Sequence, residues 1–503
     1  MLHRTARRCR GAPCTTTRRA RPQEQQGQQL LSSLEKEQSG HPKTPAATMS
    51  CSDEETLAAL IEISRTPEGR EGLSDVLADT LLLLPASPAR LLLLRLRLLR
   101  NLLAGDEFNQ HAFIERSGPS VVAASVLSLS SLAPDVVRAA LQALGNTAHA
   151  GEFHRDAVWE ALFPEALRVF SGVKDTGVLD PLCMVLDTCC GGEGGRRRLN
   201  ELCDEELGLP ILVQVVNTAS QVEHKEEWLE WLLFKVCVEE QKFESLFDAL
   251  CSTNDVDSGE YNAKHAFLLG TLSRCLNNHP KEVTVTDSFA HHVFNVHKHA
   301  AETVNFTHRG TSPLPTGCPA IDILGYTLQL LRDMCAWELP SPETQGPVDS
   351  LLQTGLVKQL LKYLGELEPP STIRKSMSKG QGDNHPALEN AKVCPYIGYR
   401  RDLVACIANC LHGRKKVQDE IRKLSGILLL LQQCVIDEDN PYLREWGLLA
   451  VKNLLEGNEE NQKEISELEM QEPVITPEIA NIGLKVEIDK ETRRLKLVNT
   501  SDT

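Results

Sequence analysis

The sequence predicts an all-α fold, a solenoid of repeated helical units with a small β-hairpin at its C-terminal end. The first observation is a register that recurs near both ends of the 503 residues. Asn101 is followed by Gln110, Ile114 and Gly118, Asn409 by Gln418, Ile421 and Gly426, and Asn453 by Gln462 and Ile465. The second is its pitch: Asn146 lies 45 residues after Asn101, and Asn453 lies 44 after Asn409. That is the roughly 40–47-residue repeat of armadillo/HEAT-like units. The third is composition. Aromatic residues are 5% of the chain while leucine is abundant, which favours helix-on-helix packing over strands rich in β-branched and aromatic side chains.

Residues 1–50 read as a disordered basic tail. The first 22 positions hold seven arginines and no acid. Such a segment also fits an organellar transit peptide, or translation upstream of a true start at Met49. Residues 51–367 are expected to form the N-terminal helical array. The leucine-rich run from Leu81 to Leu103 is cut by Pro85 and Pro88 and carries Arg90, Arg95, Arg97 and Arg100, so it reads as a buried repeat helix and not a membrane span. A second unit starts near Pro134, a residue suited to the first turn of a helix, and a third spans about 178–216 with Thr188 where the repeat Asn would fall. Apolar helices follow at 228–234, 267–276 and 321–337, whereas 277–318 has no clear phase. Pro369-Pro370 opens a polar linker over 368–394. Two clean repeats then occupy 395–470. In 471–503 two runs, Leu484–Ile488 and Arg494–Val498, alternate with period two around a polar turn, the pattern of a hairpin able to cap the last repeat. About seven to ten repeats fit between 51 and 470 at this pitch.

The net charge of −16 becomes about −23 once the seven N-terminal arginines are set aside. A body so acidic repels phosphate backbones, which argues against nucleic acid and favours basic segments of protein partners. Sixteen cysteines include no Cys-x-x-Cys. Cys183, Cys189, Cys237, Cys275 and Cys335 sit among apolar residues, and Cys406 and Cys410 share one helical face. They read as buried reduced thiols in a reducing compartment. No pattern calls for a cofactor.

The C-terminal third carries more specific motifs. Cys-Pro-Tyr-Ile-Gly-Tyr-Arg-Arg-Asp (394–402) leads into Ala-Cys-Ile-Ala-Asn-Cys (405–410) and Val-Gln-Asp-Glu-Ile-Arg (417–422). Asp-Glu-Asp-Asn-Pro-Tyr-Leu-Arg-Glu-Trp (437–446) and Lys-Asn-Leu-Leu-Glu-Gly-Asn (452–458) follow. Together they resemble the ataxin-10 domain in its plant and algal form, over roughly 394–503. The resemblance implies an armadillo-type interaction protein without catalytic activity, mainly cytoplasmic, able to self-associate, and linked to cytokinesis and cell division. It supplies no catalytic residues.

The candidate partner-binding residues are the recurrent Asn101, Asn146, Asn409 and Asn453, with Tyr396, Tyr399, Arg400 and Arg401. A carboxamide carries both donor and acceptor and can pair with the backbone of an extended peptide, as in importin-type arrays that bind basic peptides. The tryptophan that such arrays place four residues earlier is replaced here by Arg97, Gln142, Ala405 and Leu449. The competing reading is that each Asn helps end its helix, since Gly105 and Gly413 follow at four residues. Tyr and Arg are enriched at interface hot spots, although the two tyrosines could equally pack the start of the next helix. His291, His292, His297 and His299 admit a metal-dependent enzyme, but only 292 and 299 share a helical face and no His-Glu-x-x-His occurs. Gly191–Gly195 lacks the Gly-Lys-Ser/Thr of a phosphate loop and reads as a turn between helices.

Overall fold

The structure, a computed structural model, describes residues 53–251, 261–280, 284–336, 346–380, 391–468, 484–488 and 495–499. The chain divides into two compact units. One runs to Val173 and includes Gly191–Gly194; the other comprises Lys174–Cys190 and Gly195 onward.

The first unit begins with α1 (Glu54–Ile63), α2 (Pro67–Glu71) and α3 (Val76–Leu83). Next come α4 (Ala89–Leu102), α5 (Glu107–Glu115) and α6 (Gly118–Leu127), then α7 (Pro134–Ala148), α8 (Glu152–Leu162) and α9 (Glu165–Phe170). Helix α7 starts on Pro134, whose missing N–H would have had no intrahelical partner. Val136, Val137, Ala140, Leu141, Leu144 and Ala148 are buried along it at helical spacing. Each large aliphatic side chain so buried stabilises by about 1.5–3 kcal/mol. Helices α1, α4 and α7 pack side by side and form a ladder face.

The second unit contains α10 (Thr176–Cys189), α11 (Gly195–Leu202), α12 (Leu209–Val222) and α13 (Glu227–Phe234), the last continued by a π-helical turn, Lys235–Glu239. It goes on with α14 (Phe243–Ala249), α15 (Ala263–Asn278), α16 (Asp287–Thr303), α17 (Pro319–Cys335), α18 (Pro347–Gln353) and α19 (Leu356–Glu366). Its last helices are α20 (Ser371–Gly380), α21 (Tyr399–Leu411), α22 (Lys415–Lys423), α23 (Gly426–Leu431), α24 (Leu443–Leu455) and α25 (Glu459–Ser466). Within it α10, α13, α15, α17, α21 and α24 each pack on the next, the same ladder in longer form. No helix among the described residues is long and apolar enough to cross a membrane.

Two stretches depart from the sequence reading. The linker expected at 368–394 contains α20, and its stem is closed by backbone bonds from Glu368 N to Lys392 O (2.9 Å) and from Lys392 N to Glu366 O (3.0 Å). The segment without clear phase holds all of α16, then a non-helical run beside 393–397. There Val393 N donates to Phe306 O (2.9 Å), Gly310 N to Cys394 O (2.9 Å) and Ile397 N to Ser312 O (3.0 Å). The expected tail at 1–50 lies outside the described residues. Strands β1 (Leu484–Ile488) and β2 (Leu495–Asn499) pair antiparallel, Leu484 opposite Asn499. The turn joining them and residues 469–483 lie outside the described residues, so the hairpin as a cap for the last repeat stays an expectation.

The recurrent register has a backbone meaning. Gly105, Gly413 and Gly457, each four residues past a register Asn, adopt φ of 70°, 64° and 66°. This left-handed conformation ends the ladder helix at little steric cost only in glycine. Asp106 and Asn458 then cap the following helices, accepting from Asn109 N at 2.9 Å and Asn461 N at 3.1 Å. At Gly118 the constraint is contact, because a Cβ there would lie 2.3 Å from Cδ2 of the buried Phe113. Gly118→Ala is therefore expected to lower stability by about 1–3 kcal/mol, read as a drop in the urea midpoint. An unchanged midpoint would show that the Phe113 ring yields freely.

Candidate protein-binding surface

The four register asparagines occupy one place on the ladder helices, and each donates Nδ2 to the helix before its own. Asn101 reaches Ile61 O at 3.2 Å and Ser64 Oγ at 3.1 Å. Asn146 reaches Arg100 O at 2.8 Å, Asn409 reaches Arg332 O at 2.9 Å, and Asn453 reaches Ala408 O at 2.9 Å. The accepting carbonyls lie in the last turns of their helices, where intrahelical partners run out; Arg100 O and Ala408 O take no backbone N–H among the described residues, whereas Arg332 O also accepts from Ala336 N at 3.2 Å and Ile61 O from Ser64 Oγ at 2.9 Å. The register glutamines close the contact from the other side. Gln110 Nε2 donates to Asn146 O (3.0 Å) and Gln418 Nε2 to Asn453 O (2.8 Å), each reaching the ladder Asn of the next repeat.

The Asn side chains thus bind neighbouring repeats together, and Asn453 is 4% exposed. In three of the four, only half of the amide is committed. Among the described residues the Oδ1 atoms of Asn146, Asn409 and Asn453 accept no hydrogen bond, whereas Oδ1 of Asn101 accepts from the Arg100 guanidinium at 2.9 Å. Four residues before each Asn, Arg97 and Gln142 are half-buried, Ala405 is buried and Leu449 is 36% exposed. None offers the aromatic platform of an importin-type groove.

Sequence reasoning missed how the central repeats make the same connection. Between α10 and the π-helical turn, Asp187 pairs with Lys235. Arg274 Nε donates to Glu230 Oε1 at 2.8 Å between α13 and α15, and Ser273 Oγ to Gln329 Oε1 at 3.3 Å between α15 and α17. Asp187 is adjacent to Thr188, so the pitch located the place while the residue type hid it.

Tyr396, Tyr399 and Arg400 require a correction, since they are only 1%, 1% and 2% exposed and cannot meet a partner. Tyr396 Oη donates to Asp402 Oδ2 (3.0 Å) and the Tyr399 ring lies against Tyr396 and Phe306. Arg400 donates to Gln433 Oε1 (3.2 Å) and to the Glu368 carbonyl, while its own N–H donates to Asn440 Oδ1 (3.0 Å). These residues lock the linker stem onto the C-terminal repeats. Arg401 stays half-buried and donates to Asp402 Oδ1 (2.8 Å).

The histidines turn to different neighbours. His291 meets Ser350 Oγ at 2.7 Å, His292 Nε2 meets Glu244 Oε2 at 2.7 Å, and His299 stacks edge-on to Tyr261. His297 is fully buried against Thr327 Oγ1 at 3.0 Å. A shared metal does not fit that arrangement. The thiols of Cys335, Cys406 and Cys410 do converge, within 4.8 Å of one another and fully buried. The cysteines singled out in the sequence are all buried free thiols, and burial pushes that of Cys275 up to about 12. Cys251 and Cys318, by contrast, are exposed.

Stacked helical repeats joined through a ladder of short polar side chains define an armadillo-like α-solenoid. The profile of the spinocerebellar ataxia type 10 protein domain matches residues 399–498. Ataxin-10 of Xenopus tropicalis is 26% identical over 377 residues, covering 72% of this chain and 70% of its own. An ataxin-10 homolog of Dictyostelium discoideum is 37% identical over 89 residues, 18% of this chain and 15% of its own. A designed armadillo repeat protein aligns with 75% of this chain and 99% of its own at 11% identity and a TM-score of 0.23. The chain is thus similar to ataxin-10 proteins along most of its length and to their characteristic domain over residues 399–498.

Truncating Asn453 removes a buried hydrogen bond and leaves the Ala408 carbonyl without a partner. Asn453→Ala is expected to cost about 1–3 kcal/mol in a urea titration, and no change would show that water replaces the amide. Burial pushes the His265 and His297 imidazoles down to about 4 from an ordinary value of 6.5. Between those values the unfolded chain binds protons that the folded chain refuses, so stability falls as pH falls from 6.5 towards 4. Each histidine contributes on the order of 3 kcal/mol at most. Replacing His297 with Leu should flatten that slope in urea midpoints taken at pH 7, 5.5 and 4.5, and an unaltered slope would assign the loss elsewhere.

Proposed function

We propose that this chain is a non-catalytic scaffold that holds extended segments of protein partners on its ladder faces. The observation carrying the reading is the row of register asparagines whose donors are spent on the neighbouring repeat while three acceptor oxygens remain open. An open amide oxygen can accept from a backbone N–H, and neighbouring side chains then supply selectivity. Affinity would come from area and a few anchors along the face, since α-solenoids offer extended binding surfaces. The resemblance to ataxin-10 supports a cytoplasmic place, self-association and a part in cytokinesis.

Basic peptides of the importin type are the poorer match. They would need aromatic platforms that Arg97, Gln142, Ala405 and Leu449 do not provide. A metal-dependent enzyme has no support from the dispersed histidines.

Leu449 is the better place to test the scaffold, because changing it leaves the inter-repeat bonds in place. Leu449→Asp should leave the urea midpoint near that of the parent chain while removing partners recovered by affinity purification from dividing cells. Full recovery of the same partners would show that the C-terminal ladder face does not bind them.

A further inference from the structure

The ladder face of the first unit carries a charge opposite to that of the chain as a whole. A groove of about 520 Å³ lies across α1, α4 and α7, with Arg65, Arg97, Arg100 and Arg138 on its walls against only Glu62 and Asp135. Both carboxylates are already engaged, Glu62 with Arg65 at 2.9 Å and Asp135 with Arg138. Arg100 has neutral partners only, Gln142 Oε1 at 3.2 Å and Asn101 Oδ1 at 2.9 Å. Arg97 makes no hydrogen bond or ion pair among the described residues and is half-buried. Two guanidinium groups therefore stand uncompensated side by side. Burial lowers the pKa of Arg100, and Arg97, Arg65 and Arg138 lower it further, so these cations repel one another. Arginine forks suit carboxylates in bidentate geometry.

We propose that this groove is the docking site for an extended acidic segment of a protein partner, held by Arg97 and Arg100 through its Asp or Glu side chains. The proposal rests on the scaffold reading and names the partner chemistry of its N-terminal face. It reverses the expectation drawn from net charge, because at physiological salt a charge is screened beyond about 8 Å. A short segment in the groove feels the local arginines and not the distant acidic surface. A long polyanion such as nucleic acid also meets that surface and is repelled by it. Ile61, Leu94 and Ala139 supply an apolar floor for the methylene stems of glutamates. Three adjacent helices span roughly 20 Å between the outer axes, the reach of about six extended residues.

The test is fluorescence anisotropy with the full chain and three labelled probes: octaglutamate, octalysine and a forty-nucleotide single strand. Octaglutamate is expected to bind saturably and more weakly as salt rises, and the other two probes to bind at least about tenfold less tightly. Arg97→Glu combined with Arg100→Glu should abolish octaglutamate binding and create binding to octalysine, with helical circular dichroism unchanged. Arg97→Ala, which removes a side chain without polar partners, should alone weaken octaglutamate several-fold if the pair of variants misfolds. Octaglutamate that fails to bind, or that binds Arg97→Ala as tightly as the parent, overturns the proposal. Equal affinity for the oligonucleotide overturns it as well, since the groove would then be a general anion patch. Leu449→Asp, in the other unit, should leave octaglutamate binding unchanged, so losing it there but not with Arg97→Ala also counts against this groove. Purified partners of the C-terminal face that still bind while octaglutamate does not would leave the scaffold reading standing without this site.

Discussion

The free carbonyls at the end of each ladder helix govern this architecture. An isolated helix leaves its last four carbonyls to water, but here the next repeat covers them. Leaving one unpaired in such a place costs about 1–3 kcal/mol. The chain answers with a side-chain amide from the following repeat, as Asn146 does for Arg100 O and Asn453 for Ala408 O. A glutamine returns the contact, Gln110 to Asn146 O and Gln418 to Asn453 O. Each repeat thus completes the hydrogen bonding of its neighbour. That makes stability a sum of nearest-neighbour terms, the behaviour expected of a solenoid.

The same constraint explains how much of the fold was legible. Where an amide closes the contact, the sequence shows Asn at the repeat pitch, with Gln nine residues on and Gly four residues on after 101, 409 and 453, and these repeats and the one around 146 stand out. In the centre the contact is made by Lys235 with Asp187 and by Arg274 with Glu230. A charged pair needs two residue types in two different repeats, so no single letter recurs and the periodicity fades. The run after α16 was illegible for another reason. It is an irregular segment bonded to 393–397, a contact between residues more than 80 positions apart that no local pattern records.

The candidate residues divide by burial into connectors between repeats and members of the core. Asn looked like a recognition residue or a helix terminator, and it is a connector with one half of its amide left over. Tyr396, Tyr399 and Arg400 looked like an exposed hot spot because Tyr and Arg are polar at their tips. Tyr396 Oη instead bonds Asp402 Oδ2, Tyr399 Oη is buried without a hydrogen-bond partner among the described residues, and Arg400 stays inside because the Glu368 carbonyl and Gln433 accept from its guanidinium and Asn440 from its backbone N–H. Residue type gives the capacity to bond. Burial decides whether the bond is made inside the chain or with a partner, and burial depends on the linker stem folding back, which local sequence does not encode.

Charge follows the same logic of place over total. A count of −16 describes the chain seen from far away, whereas a ligand on a ladder face senses what lies within a Debye length. Arg97 and Arg100 sit on α4 three residues apart, hence on one face of the helix, and the register that puts Asn101 at the contact with α1 directs that face towards the groove. The connectors and the uncompensated cations are thus set by one helical phase. Any occupant of the first unit's groove meets two arginines without carboxylate partners, a demand that carboxylate side chains satisfy and that a cation or an apolar strand does not.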